Sequence, residues 1–111
     1  MITIVNLRNV QFNKGIDRLS EIGIEYVGRP SVLGNDARIG KDGDRAKVIS
    51  DYRIWLYEQI RNRDPEVIAE LKRLKAIATK GSLVLGCWCA PKPCHADVIK
   101  SCIEWAISKT K

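Results

Sequence analysis

The chain has 111 residues, 45% of them hydrophobic, with 19 Lys and Arg against 13 Asp and Glu for a formal net charge of +6. This length fits one domain, residues 1–111, able to bury a single core without disulfides or a structural metal. No apolar run approaches the roughly 18 to 20 residues of a membrane span, and MITIVNLRN lacks the basic-then-apolar pattern of a signal peptide, so a cytoplasmic protein with no membrane partner is expected.

Ile2 to Leu7 is a short β-branched run that reads as a buried strand, and Gly23 to Val27 reads as a second, with a turn or short helix over Asn13 to Gly23 between them. From Gly28 to Asp44 the composition changes to GRPSVLGNDARIGKDGD, four glycines and a proline among charged residues. That is too long and irregular for a hairpin turn, and loops of this size in compact domains are functional or disordered.

Beyond it the apolar period lengthens to about 3.6. Val48, Ile49, Tyr52, Trp55, Leu56 and Ile60 form a stripe on a helix that Asp44 can cap, and the aromatics of that stripe are assigned to the core. A second helix opens at RDPEVIAELKRLK, with Asp64 as its cap, Pro65 at its first position, and Val67, Leu71, Leu74 and Ala78 on its buried side. Lys80-Gly81 ends it. SLVLGC, Ser82 to Cys87, is continuously apolar and reads as a central strand covered on both faces. The last helix runs from about Pro93 or Cys94 to Ser108, and its apolar positions, Trp105 among them, predict substantial burial.

The order β-β-α-α-β-α predicts a small α/β fold, a two-layer or three-layer sheet with at least partly parallel strands. Open sheets of this class bind ligands beyond the carboxyl ends of their strands. If the strands are parallel, Val27 running into GRPSVLGN and Cys87 running into WCAPKPCH place two unusual loops at one edge. No repeat or linker divides the chain.

LGCWCAPKPCHADVI holds three of the four cysteines and the single histidine. Together with NLR, GRPSVLGN, the following RIGKDGDR and YRIWL, it resembles the family called domain of unknown function 4326 over most of the chain. The resemblance implies a shared site around the cysteine motif and carries over no catalytic role. A weaker similarity, an apolar strand leading to a Cys-His pair at a helix start, connects the chain with domain of unknown function 488 and bears no functional weight.

The chemistry of the cluster follows from its atoms, and several readings stay open. Cys87, Cys89, Cys94 and His95 supply the donor types and number for zinc, although Cys94 and His95 are adjacent where short-spaced zinc pairs usually leave two or more residues between ligands. Cys94 at a helix start would have a stabilised thiolate, giving a cysteine-dependent enzyme with His95 as its companion, yet adjacent helical residues point about 100° apart. A third reading is a pocket for a phosphate-bearing ligand. Trp88 stacks on a base, helix-start N–H groups hold a phosphate, and Arg29, Arg38, Lys41 and Arg45 neutralise it, with Ser31 and Asn35 completing the binding set. A purely structural reading has the cysteines filling a tight corner, His95 hydrogen-bonded and the arginines solvated; Cys102, on an apolar helix face, belongs to it outright.

The reading preferred on sequence is a protein binding a nucleotide-type ligand, or a nucleotide within nucleic acid, between the Gly28–Asp44 and Cys87–His95 loops. The competing class is a non-enzymatic, zinc-stabilised module that binds nucleic acid through its basic surface. An anionic small molecule or nucleic acid is the expected partner, because a net positive charge attracts anions at long range.

Overall fold

The computed structural model of the chain describes residues 1–9, 19, 22–29, 31–35, 40–41, 43–88 and 92–109. It contains β1 (Ile2–Asn6), β2 (Glu25–Tyr26), α1 (Arg45–Arg61), α2 (Pro65–Lys80), β3 (Leu83–Cys87) and α3 (His95–Lys109), with a 3-10 turn at Leu7–Asn9 after β1. The sheet order is β1-β3-β2 and both pairings are parallel, in register Ile2↔Leu83 to Asn6↔Cys87 on one side and Glu25↔Leu85, Tyr26↔Gly86 on the other. The fold is mixed α/β in the expected element order. The expected turn or short helix over Asn13–Gly23 lies largely outside the described residues.

Local chemistry accounts for the helix boundaries. The Asp44 carboxylate accepts the Lys47 N–H at 2.9 Å, and the Asp64 carboxylate accepts the Val67 N–H at 3.0 Å, each satisfying one of the donors that a helix start leaves open. Between α1 and α2, Arg63 N–H donates to the Ile60 carbonyl at 3.1 Å and Asp64 N–H to the Gln59 carbonyl at 3.0 Å. This double closure turns the chain through Arg63 at φ 56°, a left-handed position that glycine usually fills.

Side chains alternate across β3. Leu83, Leu85 and Cys87 join the main core with Leu56, Leu74 and Ile99 of the three helices, while Val84 packs against a second cluster of Leu7, Leu19 and Ile24. The central strand is thus covered on both faces, which is why SLVLGC has no polar alternation. Gly86 belongs to the second face, where a Cβ would lie 2.8 Å from Ile24 Cγ2. No helix among the described residues is long and apolar enough to cross a membrane.

The tryptophans depart from expectation. Trp105 is 63% exposed and Trp55 36%, although both were assigned to buried helix faces. The reason is angular. Trp105 lies two residues, about 200°, past buried Ile103, and Trp55 lies about 100° from buried Leu56. The buried positions of α3 are Ala96, Val98, Ile99 and Ile103, so its apolar residues exceed what packing from one side covers.

Candidate functional site

Because β2 and β3 are parallel neighbours, the chain leaves both strands at the same edge of the sheet. Val27 N–H still pairs with the Gly86 carbonyl at 3.2 Å, and beyond it the segment Gly28–Asn35 closes into two tight turns: Ser31 N–H donates to the Gly28 carbonyl at 2.8 Å and Gly34 N–H to the Ser31 carbonyl at 2.9 Å. Gly34 is required by close approach, since a Cβ there would sit 3.0 Å from both the Gly28 carbonyl and the Arg29 backbone. The Tyr52 hydroxyl donates to the Leu33 carbonyl at 2.7 Å, anchoring these turns on α1.

The two loops are stapled together at three points. His95 Nε2–H donates to the Val27 carbonyl at 2.6 Å, Trp88 Nε1–H donates to the Tyr26 hydroxyl at 3.3 Å, and Arg45 Nη1–H donates to the Pro93 carbonyl at 2.8 Å. The Tyr26 hydroxyl in turn donates to the Arg29 carbonyl, so one phenol links the base of both loops. A tyrosine hydroxyl donates once and accepts from others, and it is used here in both senses.

His95 is mostly shielded, with its ring edge-on to Tyr52 at 5.1 Å between centroids. Burial lowers its pKa; the bond to Val27 works against this, the charge of Arg29 adds to the lowering, and Asp97 opposes it. A neutral imidazole with its proton on Nε2 keeps the Val27 bond and leaves Nδ1 as an acceptor. Burial also pushes the Tyr52 phenol above its ordinary range, with a smaller push from Cys102.

Cys87 and Cys94 are both buried in the main core, their sulfurs 3.5 Å apart. Cys94 precedes α3, where its N–H donates to the Asp97 carboxylate at 2.9 Å and the Asp97 N–H donates back to its carbonyl at 3.0 Å. The carboxylate already supplies negative charge at this helix start, so α3 is a less ready anion holder than its position suggested. Cys102 is half-buried against the core, as assigned, and burial pushes its thiol up.

The candidates therefore separate. Arg29, Ser31, Asn35, Arg45, Trp88 and His95 belong to the two stapled loops or their flanks, whereas Lys41 is exposed and makes no bond among the described residues. Arg38 and Cys89 lie outside the described residues. Cys87 and Cys94 bring two core sulfurs together and the His95 imidazole is hydrogen-bonded, contacts that the structural reading expects without excluding the others. Among the described residues no group of three or more His, Cys, Asp or Glu side chains converges as a metal site. Cys94 is 3% exposed, and a nucleophile needs access to its target.

Three side chains have chemistry to spare. Trp88 is 39% exposed at the carboxyl end of β3, and Arg29 is exposed at the rim. The Ser31 hydroxyl is buried with no hydrogen-bond partner among the described residues, an uncommon state for a polar group. Tyr26 was missed as a site residue, because its role depends on the register that sets it beside Gly86, for which the sequence has no local signal.

The sequence model of a family described as Domain of unknown function (DUF4326) matches residues 10–105. No curated protein and no solved structure matches the chain. The matched segment includes β2, both stapled loops and α3 as far as Trp105, and the chain belongs to the family domain of unknown function 4326.

Proposed function

We propose that the chain binds a phosphate-bearing, nucleotide-type ligand at the carboxyl edge of its sheet, between the Gly28–Asp44 loop and the loop from Cys87 to His95. The observation that carries this reading is the parallel pairing of β2 with β3, which brings both loops to one edge, where ligands of open α/β sheets bind. Trp88 offers an exposed indole for a base, Arg29 a guanidinium for the phosphate, and Ser31 an unused hydroxyl once the turn relaxes. The phosphate is assigned to Arg29 and Ser31 rather than to the start of α3, where Asp97 already sits.

Isothermal titration with nucleoside mono- and triphosphates and with short single-stranded oligonucleotides tests this. Arg29→Ala removes a charge-assisted contact of about 1.5 to 3 kcal/mol, a loss of roughly ten- to over a hundredfold in affinity, without lowering the melting temperature. Absence of binding across the whole panel would overturn the proposal.

A second reading, the zinc-stabilised nucleic-acid-binding module, draws support from the 3.5 Å approach of the Cys87 and Cys94 sulfurs. Elemental analysis after expression in zinc-replete medium separates the two, since stoichiometric zinc selects the module.

A further inference from the structure

Both pairings of the sheet are parallel, so the chain leaves β1 at the carboxyl edge as well, beside the two stapled loops. The register sets the levels. Asn6 pairs with Cys87 and Tyr26 with Gly86, which puts Val27 level with Cys87. Arg8 and Arg29 each come two residues after that level, and Trp88 comes one residue after it. Because β3 is the central strand, Trp88 leaves the sheet between the two arginines. Neighbouring strands are about 4.8 Å apart, so the ends of β1 and β2 stand about 10 Å apart with the tryptophan between them.

Local structure holds Arg8 at this level. Leu7 is 2% exposed and packs with Leu19 and Ile24, and the Arg8 N–H donates to the Asn6 side-chain oxygen at 2.9 Å, closing the turn that ends β1. The Arg8 side chain is exposed, as is that of Arg29. Neither guanidinium has a carboxylate partner among the described residues, whose ion pairs are Lys47–Asp51, Arg73–Glu25 and Arg73–Glu70. The Asp44 and Asp97 carboxylates are held at the starts of α1 and α3 by the Lys47 and Cys94 N–H groups. The Arg29 charge reaches the site itself, since it adds to the lowering of the His95 pKa.

A free nucleoside monophosphate has its phosphate on one side of the sugar and needs a cation on that side only. A nucleotide inside a strand has a phosphodiester on each side. We infer that the carboxyl edge takes an internal nucleotide of a single-stranded nucleic acid, its base stacked on Trp88 and its two flanking phosphates on Arg8 and Arg29. This rests on the nucleotide-binding reading above and names its substrate class. An exposed aromatic between cationic side chains is how single strands are held, and a net charge of +6 draws in a polyanion. A duplex presents only base edges in its grooves and offers no free face to the indole.

The test is isothermal titration of the intact chain with adenosine 5′-monophosphate, adenosine 3′-monophosphate, adenosine 3′,5′-bisphosphate and a short oligoadenylate, the last both single-stranded and annealed to its complement. The inference expects the bisphosphate and the single strand to bind about tenfold or more tighter than either monophosphate, through one further charge-assisted contact, and the duplex to bind more weakly than the single strand. Arg8→Ala should erase the bisphosphate's advantage and reduce the slope of log affinity for the single strand against log salt by about 0.7, and Arg8→Lys should restore part of both. The inference is overturned if the bisphosphate binds no tighter than the monophosphates, if its advantage survives Arg8→Ala, or if the duplex binds as well as the single strand. Monophosphate binding that persists alongside any of these results leaves the nucleotide reading standing, whereas silence with every ligand removes both.

Discussion

His95 is the only histidine, and its bond to the Val27 carbonyl joins the end of β2 to the start of α3. Burial lowers its pKa in the folded chain, whereas in the unfolded chain it titrates near about 6.5. Above that value the imidazole is neutral in both states and its contribution does not vary with pH. Below it, the unfolded chain takes up a proton that the folded chain resists, so stability falls with a slope approaching about 1.4 kcal/mol per pH unit until the folded pKa is passed. Between about pH 7.5 and about pH 5.5 the loss from this one group is at most about 1.4 kcal/mol. With a urea dependence of about 1 to 3 kcal/mol per molar, the unfolding midpoint drops by up to roughly 0.5 to 1.4 M. The assay is urea denaturation at both pH values for the parent chain and for His95→Gln, whose amide can still donate to Val27 but does not titrate. The parent midpoint should fall and that of the variant should hold nearly constant. A parent midpoint independent of pH, or a variant that keeps the parent's drop, would refute a buried, neutral His95.

Other substitutions probe the supports of the site. Tyr52→Phe leaves the buried Leu33 carbonyl without its donor and should cost about 1 to 3 kcal/mol, read as a drop of several degrees in melting temperature. Arg63→Gly relieves the left-handed backbone position between α1 and α2 and should add up to about 1 kcal/mol, raising the melting temperature by a few degrees.

The parts of the fold that follow from short-range chemistry were legible in the sequence. Asp44 and Asp64 announce helix starts because a carboxylate three residues before an open N–H has one obvious use, and Pro65 fits only the first turn. The unbroken run Leu83–Cys87 marks a strand covered on both faces, and its alternation with helices made parallel pairing the natural expectation. What depends on register or on the azimuth of a helix was not legible. Trp105 is apolar and sits in an apolar helix, yet its exposure follows from which side of α3 meets the sheet. The same holds at the site. The Cys-His motif drew attention to Cys94 and His95 as neighbours in sequence, whereas their side chains meet Cys87 and Val27, seven and sixty-eight residues away. Convergence of GRPSVLGN with the cysteine loop was inferred correctly as a neighbourhood, but the Tyr26–Trp88 link that stitches it together required the pairing of Tyr26 with Gly86.

Emission from Trp88 in a chain that keeps it as the single tryptophan reports most directly on whether the carboxyl edge binds nucleotides. Its indole is 39% exposed and joined to Tyr26, while Trp105 lies about 15 Å farther along α3 from His95 and serves as a control in a second single-tryptophan chain. Saturating nucleotide should quench or shift Trp88 emission and leave Trp105 unchanged, and Trp88→Ala should weaken binding by about ten- to a hundredfold, the equivalent of roughly 1 to 3 kcal/mol of stacking. A folded Trp88→Ala chain with undiminished affinity, together with a silent Trp88 at saturation, would contradict the assignment of this edge as the base-binding site.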